Sequence, residues 1–312
     1  MKHQVSVFAP ATVANVACGF DVFGFALNHP GDVVELSSSD SGQLEIIEIT
    51  GDSGLLSRDP KINTAGVAVL ALLDYLGQKR GFTMKLHKQM PLGSGLGSSA
   101  ASAAAGVFAA NYLLGSPLTT KELLAFAIEG ERIACGAAHA DNVAPALLGG
   151  FTLIRSYTPL DVIQIPVPDF LYATVIHPHI QIQTKDARSI LRRMIPLSDA
   201  IVQWGNVGGV VAGFFMNDLN LISRSLQDQI VEPMRAILIP KFYEVKAAAM
   251  QAGALGCSIS GSGPSLFALS SSKEVAEKVA HEMCKVFIHI QIGCDSYISS
   301  INQTGPKILS AK

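Results

Sequence analysis

Charge is scarce in this chain, and what there is nearly cancels. Charged residues make up 15% of the 312 positions against 49% hydrophobic ones, and the formal net charge is −2. Lysine and arginine form no basic stripe, which argues against nucleic acid as a partner, since neutralising its phosphates takes clustered cations. Long greasy runs are missing as well. No segment holds the ~18 consecutive apolar residues of a membrane span, and the richest tracts, around Ala100–Ala110 and Gly205–Phe215, read as helices of small residues. No membrane partner is expected. Met1-Lys2-His3-Gln4 runs straight into an alternating stretch without the apolar core of a signal peptide, so the expected compartment is the cytoplasm.

Cysteine is sparse and unpatterned. Cys18, Cys135, Cys257, Cys284 and Cys294 are odd in number and never form a CxxC. That excludes a disulfide framework or a structural zinc site as the organising device. All five read as buried small hydrophobes in a reducing compartment. His177-Pro178-His179 follows an apolar strand and has no third ligand nearby, so it is not read as a metal pair.

What is present is an alternation of strand and helix signals over a length sufficient for one large or two medium domains. Val5–Ala9 and Thr83–Lys88 alternate apolar and polar residues as half-buried strands do. Asn63 N-caps a helical run that Gly77 stops. Thr119 and Glu122 have capping-box spacing ahead of Leu123, Leu124, Ala127 and Ile128. Val275–Val286 reads as an amphipathic helix, and Leu255–Ile259 and Leu266–Leu269 as strands around a glycine turn. Three prolines in Thr158–Phe170 suggest a boundary near Pro166, and hence two α+β domains, 1–165 and 166–312.

The stretch Pro91–Gly106, PLGSGLGSSAASAAAG, carries the chemistry. Glycines at 93, 95 and 97 follow a strand and precede an alanine-rich helix. Glycine lets a ligand approach the backbone, and a helix N-terminus presents free N–H groups and positive potential. Together they suit a phosphate. A Walker A loop is excluded because Ser98, not lysine, follows Gly97. The GxGxG spacing lacks the dinucleotide fingerprint, which disfavours a Rossmann-type dehydrogenase. Ser98 and Ser99 offer hydroxyls, one to donate to a phosphate oxygen and the other to ligate Mg²⁺, which prefers hard oxygen donors. Lys88, at a strand end, reads as solvated.

PLGSGLGSSAAS resembles the ATP-phosphate loop of the GHMP kinases. Ala9–Leu27, APATVANVACGFDVFGFAL, is similar to that family's N-terminal substrate motif, and Gly253–Leu269, GALGCSISGSGPSLFAL, to its C-terminal glycine motif. The likeness runs over nearly the whole chain in the right order. It implies an α+β, two-domain GHMP kinase fold with a ribosomal-S5-domain-2-like N-terminal domain and a ferredoxin-like C-terminal domain. It also implies ATP as donor and Mg²⁺ as cofactor. The ATP-binding residues would be Asn63, Pro91, Leu92, Gly93, Ser94, Gly95, Leu96, Gly97, Ser98, Ser99, Ala100 and Ala101, with Ser99 and Glu131 on the metal and Glu129 as the alternative to Glu131.

Within the family, the segments ANVACGFD, HADNVAPALLGG, TKDAR and EPMRAILIP are similar to those of members that phosphorylate homoserine. Asn15, Asp21, Asn142, Thr184, Arg188 and Arg235 would then bind the substrate. Two arginines suit a carboxylate, and Asp21 with Asn15 suit an ammonium group. Asn142 and Ser99 would be the catalytic pair. Asn142 cannot act as a base, and Asp141 beside it is expected to point elsewhere, so the γ-phosphate itself would take the hydroxyl proton. Ala140 and Val16-Ala17-Cys18 depart from the family's usual prolines. Other small alcohols as acceptors, or a silent nucleotide or amino-acid sensor, are the rival readings; a homodimer is compatible with the family.

Overall fold

The structure, a computed structural model, describes residues 3–136 and 139–312; the Cys135 thiol lies outside the described residues. In the first half, β1 (Gln4–Ala14), β2 (Phe23–Ser39) and β3 (Leu44–Thr50) precede α1 (Thr64–Tyr75) and β4 (Gly81–His87). Three helices follow, α2 (Ser98–Leu113), α3 (Leu124–Cys135) and α4 (Ala140–Leu148), and then the hairpin β5 (Phe151–Tyr157) and β6 (Leu160–Ile165). The second half begins with β7 (Tyr172–Pro178) and a helical stretch of α5 (Thr184–Ser189), α6 (Leu197–Met216), α7 (Leu219–Ser225), α8 (Glu232–Arg235) and α9 (Phe242–Gln251). It closes with β8 (Gly256–Ile259), β9 (Leu266–Ser270), α10 (Lys273–His289), β10 (Cys294–Ser300) and β11 (Lys307–Ala311).

The strands form two sheets. The first runs β11-β1-β2-β4-β3, with β5 pairing β2 and β6; only β3 and β4 are parallel among its pairs. The second runs β10-β7-β9-β8, all antiparallel. Strand–helix–strand–strand–helix–strand in that spatial order is the ferredoxin-like arrangement. The segment between β6 and β7 contains Pro166, where the composition suggests a boundary. The tail then crosses back, because β11 pairs with β1 at the far edge of the first sheet.

Local signals account for much of this. Asn63 caps α1 by accepting from the Ala65 and Gly66 N–H groups. The Thr119–Glu122 box forms with its reciprocal bonds, at 2.7 and 3.4 Å, on a turn that leads into the regular helix at Leu124. α2 is buried along almost its whole length, which small residues allow where a helix packs against three others, α1, α3 and α4. Phe25 and Phe151 of the first sheet meet Phe267 and Phe214 of the second half at centroid distances of 6.0 and 4.9 Å. Each such fully buried ring contributes roughly 1.5–3 kcal/mol; the two halves meet in one shared core, and a second cluster lies within the second half around Phe242, Val279, Met283 and Phe287. Among the cysteines, Cys18 and Cys257 are buried as expected, whereas Cys284 and Cys294 are half-buried neighbours, Sγ to Sγ 3.1 Å.

Candidate active site

A cavity of about 430 Å³ opens along the glycine loop, where the first sheet's helices meet the ends of α5, α8 and the β8–β9 turn. Gly97 is the N-cap of α2 in left-handed conformation, and no side chain caps the helix. The first-turn N–H groups of α2 therefore lack an internal side-chain acceptor, the condition that suits an anion. The loop is pinned from three sides: Thr12 N–H donates to Leu96 O at 2.9 Å, Ser260 Oγ to Gly95 O at 2.7 Å, and Ser265 N–H to Ser94 O at 3.2 Å. The C-terminal glycine motif thus serves as a brace for the phosphate loop.

Lys88 corrects the sequence-based expectation. It is not solvated but buried, paired with the buried Asp32 of β2, and its ammonium also donates to Ser98 O at 2.9 Å and Ser102 Oγ at 2.6 Å. Asp32 in turn accepts the Gln89 N–H at 2.8 Å and the Ser98 hydroxyl at 2.7 Å. The ion pair latches the end of β4 to the start of α2, so both ends of the loop are held at one point. The Ser98 hydroxyl is committed there, which leaves Ser99 as the serine hydroxyl of that pair for metal or phosphate. The buried pair is invisible in the sequence because Asp32 lies 56 residues from Lys88.

The other end of the cavity is built from the N-terminal motif. Asn15, Val16 and Ala17 all have positive φ, as does Asp21, a costly run for residues with a Cβ. It is over-determined by its partners. Asn15 Oδ1 accepts the Asp21 N–H at 3.0 Å, Asn15 Nδ2 donates to Gly261 O at 2.7 Å, and Tyr157 Oη donates to Asp21 O at 2.8 Å. Gln203 Nε2 reaches from α6 to Cys18 O and to Asp228 Oδ1, both at 2.9 Å. Asp228 accepts from the N–H groups of Ile230, Val231 and Glu232 and so seats α8. Arg235 on α8 is buried, with Nε donating to Ala187 O at 3.1 Å and Nη1 to Gly261 O at 2.8 Å. Arg188 on α5 pairs with Asp21. Both guanidinium groups lie over the Phe20 ring, at 5.6 and 5.1 Å from its centroid, an arrangement that spaces the two cations by a ring they are each attracted to.

Most of the residues singled out in the sequence line this one cavity: Asn15, Asp21, Asn63, Leu92 to Ser99, Glu131, Asn142, Thr184, Arg188 and Arg235. Pro91 instead lines a neighbouring cavity with Asp52, His177, His179 and Asp295, where His177 Nδ1 bonds Ser265 Oγ and His179 pairs with Asp295. Ala100 and Ala101 are buried in α2 behind the loop. Thr184 Oγ1 meets Ser262 Oγ at 3.2 Å. Asn142 Oδ1 accepts from Thr12 Oγ1 at 2.8 Å, so its amide N–H groups are what it can offer a ligand. Glu131 lines the cavity and is 3% exposed, whereas Glu129 forks with Arg132 at 2.6 and 2.8 Å on the outer side of α3. His139, Ser102 and Lys88 also line it. Burial is the main influence holding the His139 imidazole below its usual value.

Asp141 also departs from expectation, because it lines the same cavity as Asn142. It is 2% exposed, and Oδ1 has no hydrogen-bond partner. Burial, with Asp21 as a lesser cause, pushes its carboxyl up to about 7. In the unfolded chain the carboxyl ionises near pH 4. Folding therefore retains a proton between pH 4 and 7, and stability drains away over that window as pH rises. Asp141→Asn is expected to unfold with the wild-type urea midpoint near pH 4 and a higher one at pH 7–8, the gain approaching about 4 kcal/mol. Urea titrations across that range check it; a constant difference between the two proteins would refute it.

With the geometry in place, the comparisons with known proteins agree. Residues 63–150 match the family model described as "GHMP kinases N terminal domain", and residues 210–289 match "GHMP kinases C terminal". The chain is 53% identical to the homoserine kinase of Chlorobium phaeobacteroides strain BS1 over 98% of its own length and 99% of that protein's. It is equally similar, at 53%, to the homoserine kinase of Chlorobaculum tepidum, with 98% of each chain covered. A crystal structure of the homoserine kinase from Cytophaga hutchinsonii superimposes with a TM-score of 0.97 at 60% identity, covering 99% of this chain and 98% of that one. Such likeness over the full length means that this chain, whose glycine loop and two arginines line one cavity, belongs to the GHMP kinase family and, within it, to the homoserine kinases.

Proposed function

We propose that the chain transfers the γ-phosphoryl group of ATP to the side-chain hydroxyl of L-homoserine, giving ADP and O-phospho-L-homoserine, a step of threonine biosynthesis. The observation that carries this reading is the polarity of the cavity along the glycine loop. An uncapped helix N-terminus with a glycine loop lies along it, and at the acceptor end stand Asp21, Arg188 and Arg235.

Homoserine is a zwitterion, and neither charge leaves water without a partner. Asp21 and Arg188 neutralise one another in the free protein. A zwitterion between them turns one ion pair into two, ammonium to Asp21 and carboxylate to Arg188, with Arg235 adding a second fork. Asn15 accepts the Asp21 N–H and lines the same cavity, and its Oδ1 keeps a second lone pair for the ammonium. Thr184 lies beside these groups at the start of α5. The N–H groups of the loop hold the triphosphate.

The reaction forms one bond, from the hydroxyl oxygen to the γ-phosphorus, and breaks the bond from that phosphorus to the oxygen bridging to the β-phosphate. Asn142 donates to the reacting oxygens and takes no proton. Burial pushes the Asp141 carboxyl up to about 7; in the reading proposed here the hydroxyl proton ends on the transferred phosphoryl group rather than on that side chain. Phosphoryl transfer of this kind depends on positioning and charge neutralisation more than on a base.

Ser99 and Glu131 fit Mg²⁺, being hard oxygen donors on the cavity wall. Mg²⁺ usually keeps several waters and binds through one or two carboxylates plus substrate phosphates, so it needs few protein ligands. When bound there, Mg²⁺ would supply positive charge to offset that of the triphosphate. Glu131→Gln is expected to lower kcat about 100-fold and to raise the Mg²⁺ concentration for half-maximal rate, while Glu129→Gln changes neither; Mg²⁺ titrations of initial rate check it.

The reaction itself is tested with a panel of acceptors, ATP and Mg²⁺, the product being identified by phosphorus NMR. Homoserine should be phosphorylated at its hydroxyl. Phosphorylation of mevalonate or a sugar with homoserine inert would overturn the assignment, and absence of turnover with every acceptor would make the chain a sensor.

A further inference from the structure

Tyr157, the last residue of β5, belongs to none of the sequence motifs and does not line the cavity. Its hydroxyl nevertheless joins two parts of the acceptor end. It donates to Asp21 O at 2.8 Å, and the Ala140 N–H hydrogen-bonds to the same hydroxyl oxygen. A phenol can do both at once, since it has one donor hydrogen and lone pairs that accept. Burial, with Asp141 and Asp21 as lesser causes, pushes the phenol well above its usual value. The hydroxyl therefore keeps its proton at neutral pH, and its roles are fixed as donor to Asp21 and acceptor from Ala140.

Each bond meets a group that has few other constraints. Ala140 is the first residue of α4, whose N-cap, His139, contributes no side-chain acceptor. The Asn142 and Val143 N–H groups share the His139 carbonyl at 3.3 Å each, long for hydrogen bonds at a helix start. A first-turn N–H has no partner inside its helix, and for Ala140 the outside partner is Tyr157. Proline, the family's usual residue at this position, lacks the N–H and could not make the bond. At the other end, Asp21 has a φ of 58°, a conformation that persists only when its surroundings over-determine it. Asn15 Oδ1 accepts its N–H at 3.0 Å, and Tyr157 donates to its carbonyl. With its backbone held on both sides, Asp21 pairs with Arg188. Asn142, two residues beyond Ala140, lines the same cavity.

We propose that Tyr157 is a positioning residue that sets the distance between Asp21 and Asn142, and thereby the length of amino acid the site accepts. The inference rests on the homoserine reading, in which Asp21 meets the ammonium and Asn142 the reacting oxygens. Serine is one methylene shorter than homoserine, and the next higher homologue is one longer. A span tied at both ends to one hydroxyl selects against either. With the tie cut, the span can adjust to a different length.

Steady-state kinetics on the full chain test this. Tyr157→Phe should raise the KM for homoserine about tenfold, as the loss of one or two hydrogen bonds implies, and leave the KM for ATP within about twofold. Its preference for homoserine over the next higher homologue, as a ratio of kcat/KM values, should fall about tenfold. Ala140→Pro, tolerated at the first position of a helix, should raise the KM for homoserine about threefold. In the Tyr157→Phe background it should have no further effect, because the bond it removes is already gone. Melting temperatures should stay within about 4 °C of wild type. Tyr157 is 40% exposed, and α4 keeps Val143, Ala144 and Leu147 fully buried. An unchanged KM for homoserine in Tyr157→Phe, equal rises in both KM values, an unaltered length preference, or effects of the two substitutions that multiply would each overturn the proposal. A wild type inert toward homoserine would overturn the homoserine reading and this inference with it, whereas an active wild type confines any failure to Tyr157.

Discussion

Gly97→Ala is expected to lower kcat/KM by about 1,000-fold, the equivalent of about 4 kcal/mol at the transition state, in a protein that keeps its wild-type circular dichroism. Gly97 has a φ of 68°, where a Cβ is strained, and a Cβ there would stand 2.0 Å from Thr12 Oγ1 and 2.8 Å from Asn142 Oδ1. Neither neighbour can yield cheaply. Thr12 is fully buried in β1, and its hydroxyl donates to Asn142. The substitution therefore displaces the N-terminus of α2 and Asn142 together, and both line the cavity. Gly93→Ala is the matched control for the free protein. Its φ of 67° is nearly the same but its Cβ would meet nothing within 4 Å, so folding stability should drop by only about 1 kcal/mol. Steady-state kinetics and thermal unfolding of the two proteins separate close approach from backbone strain. Activity within tenfold of wild type for Gly97→Ala would show that the close approach does not matter.

Arg235→Lys should raise the KM for homoserine by about 100-fold, about 2.7 kcal/mol, and leave the KM for ATP within about twofold. The guanidinium is buried and already held by two backbone carbonyls, so it is a preorganised fork. A lysine keeps the charge but loses the fork and the guanidinium's place over the Phe20 ring. Arg188→Lys should have a smaller effect, since that side chain is 41% exposed and water screens its interactions. The comparison is made by varying each substrate at saturating levels of the other. Equal increases in both KM values for Arg235→Lys would point to a general distortion rather than to a carboxylate grip.

These expectations rest unequally on sequence and on fold. The glycine loop and its following helix can be read directly, because turn chemistry and helix entry depend on residues a few positions apart. Asn63 as a cap and the Thr119–Glu122 box are of the same kind. Their side chains bond to backbone two or three residues away. The division of labour between Ser98 and Ser99 could not be read, since it depends on Asp32, 66 residues before Ser98. Glu131 and Glu129 lie two positions apart on α3, and only the packing of that helix sends one toward the cavity and the other to Arg132. Asp141 and Asn142 go the other way. They are adjacent in sequence yet both line the cavity, because at the first turn of a helix whose N-terminus meets the site, neighbouring residues need not diverge far.

By itself, then, the sequence determined the elements, the phosphate loop and the residue types able to match a zwitterion, all properties of short segments. Only the tertiary structure decided which of those groups are charged, buried or already engaged. Lys88 becomes a buried latch, Asp21 and Arg188 meet across 167 residues, and Asp141 retains its proton to about pH 7. Each outcome is set by desolvation and by the charges nearby, and those are fixed by segments distant in the chain, so no local pattern can encode them.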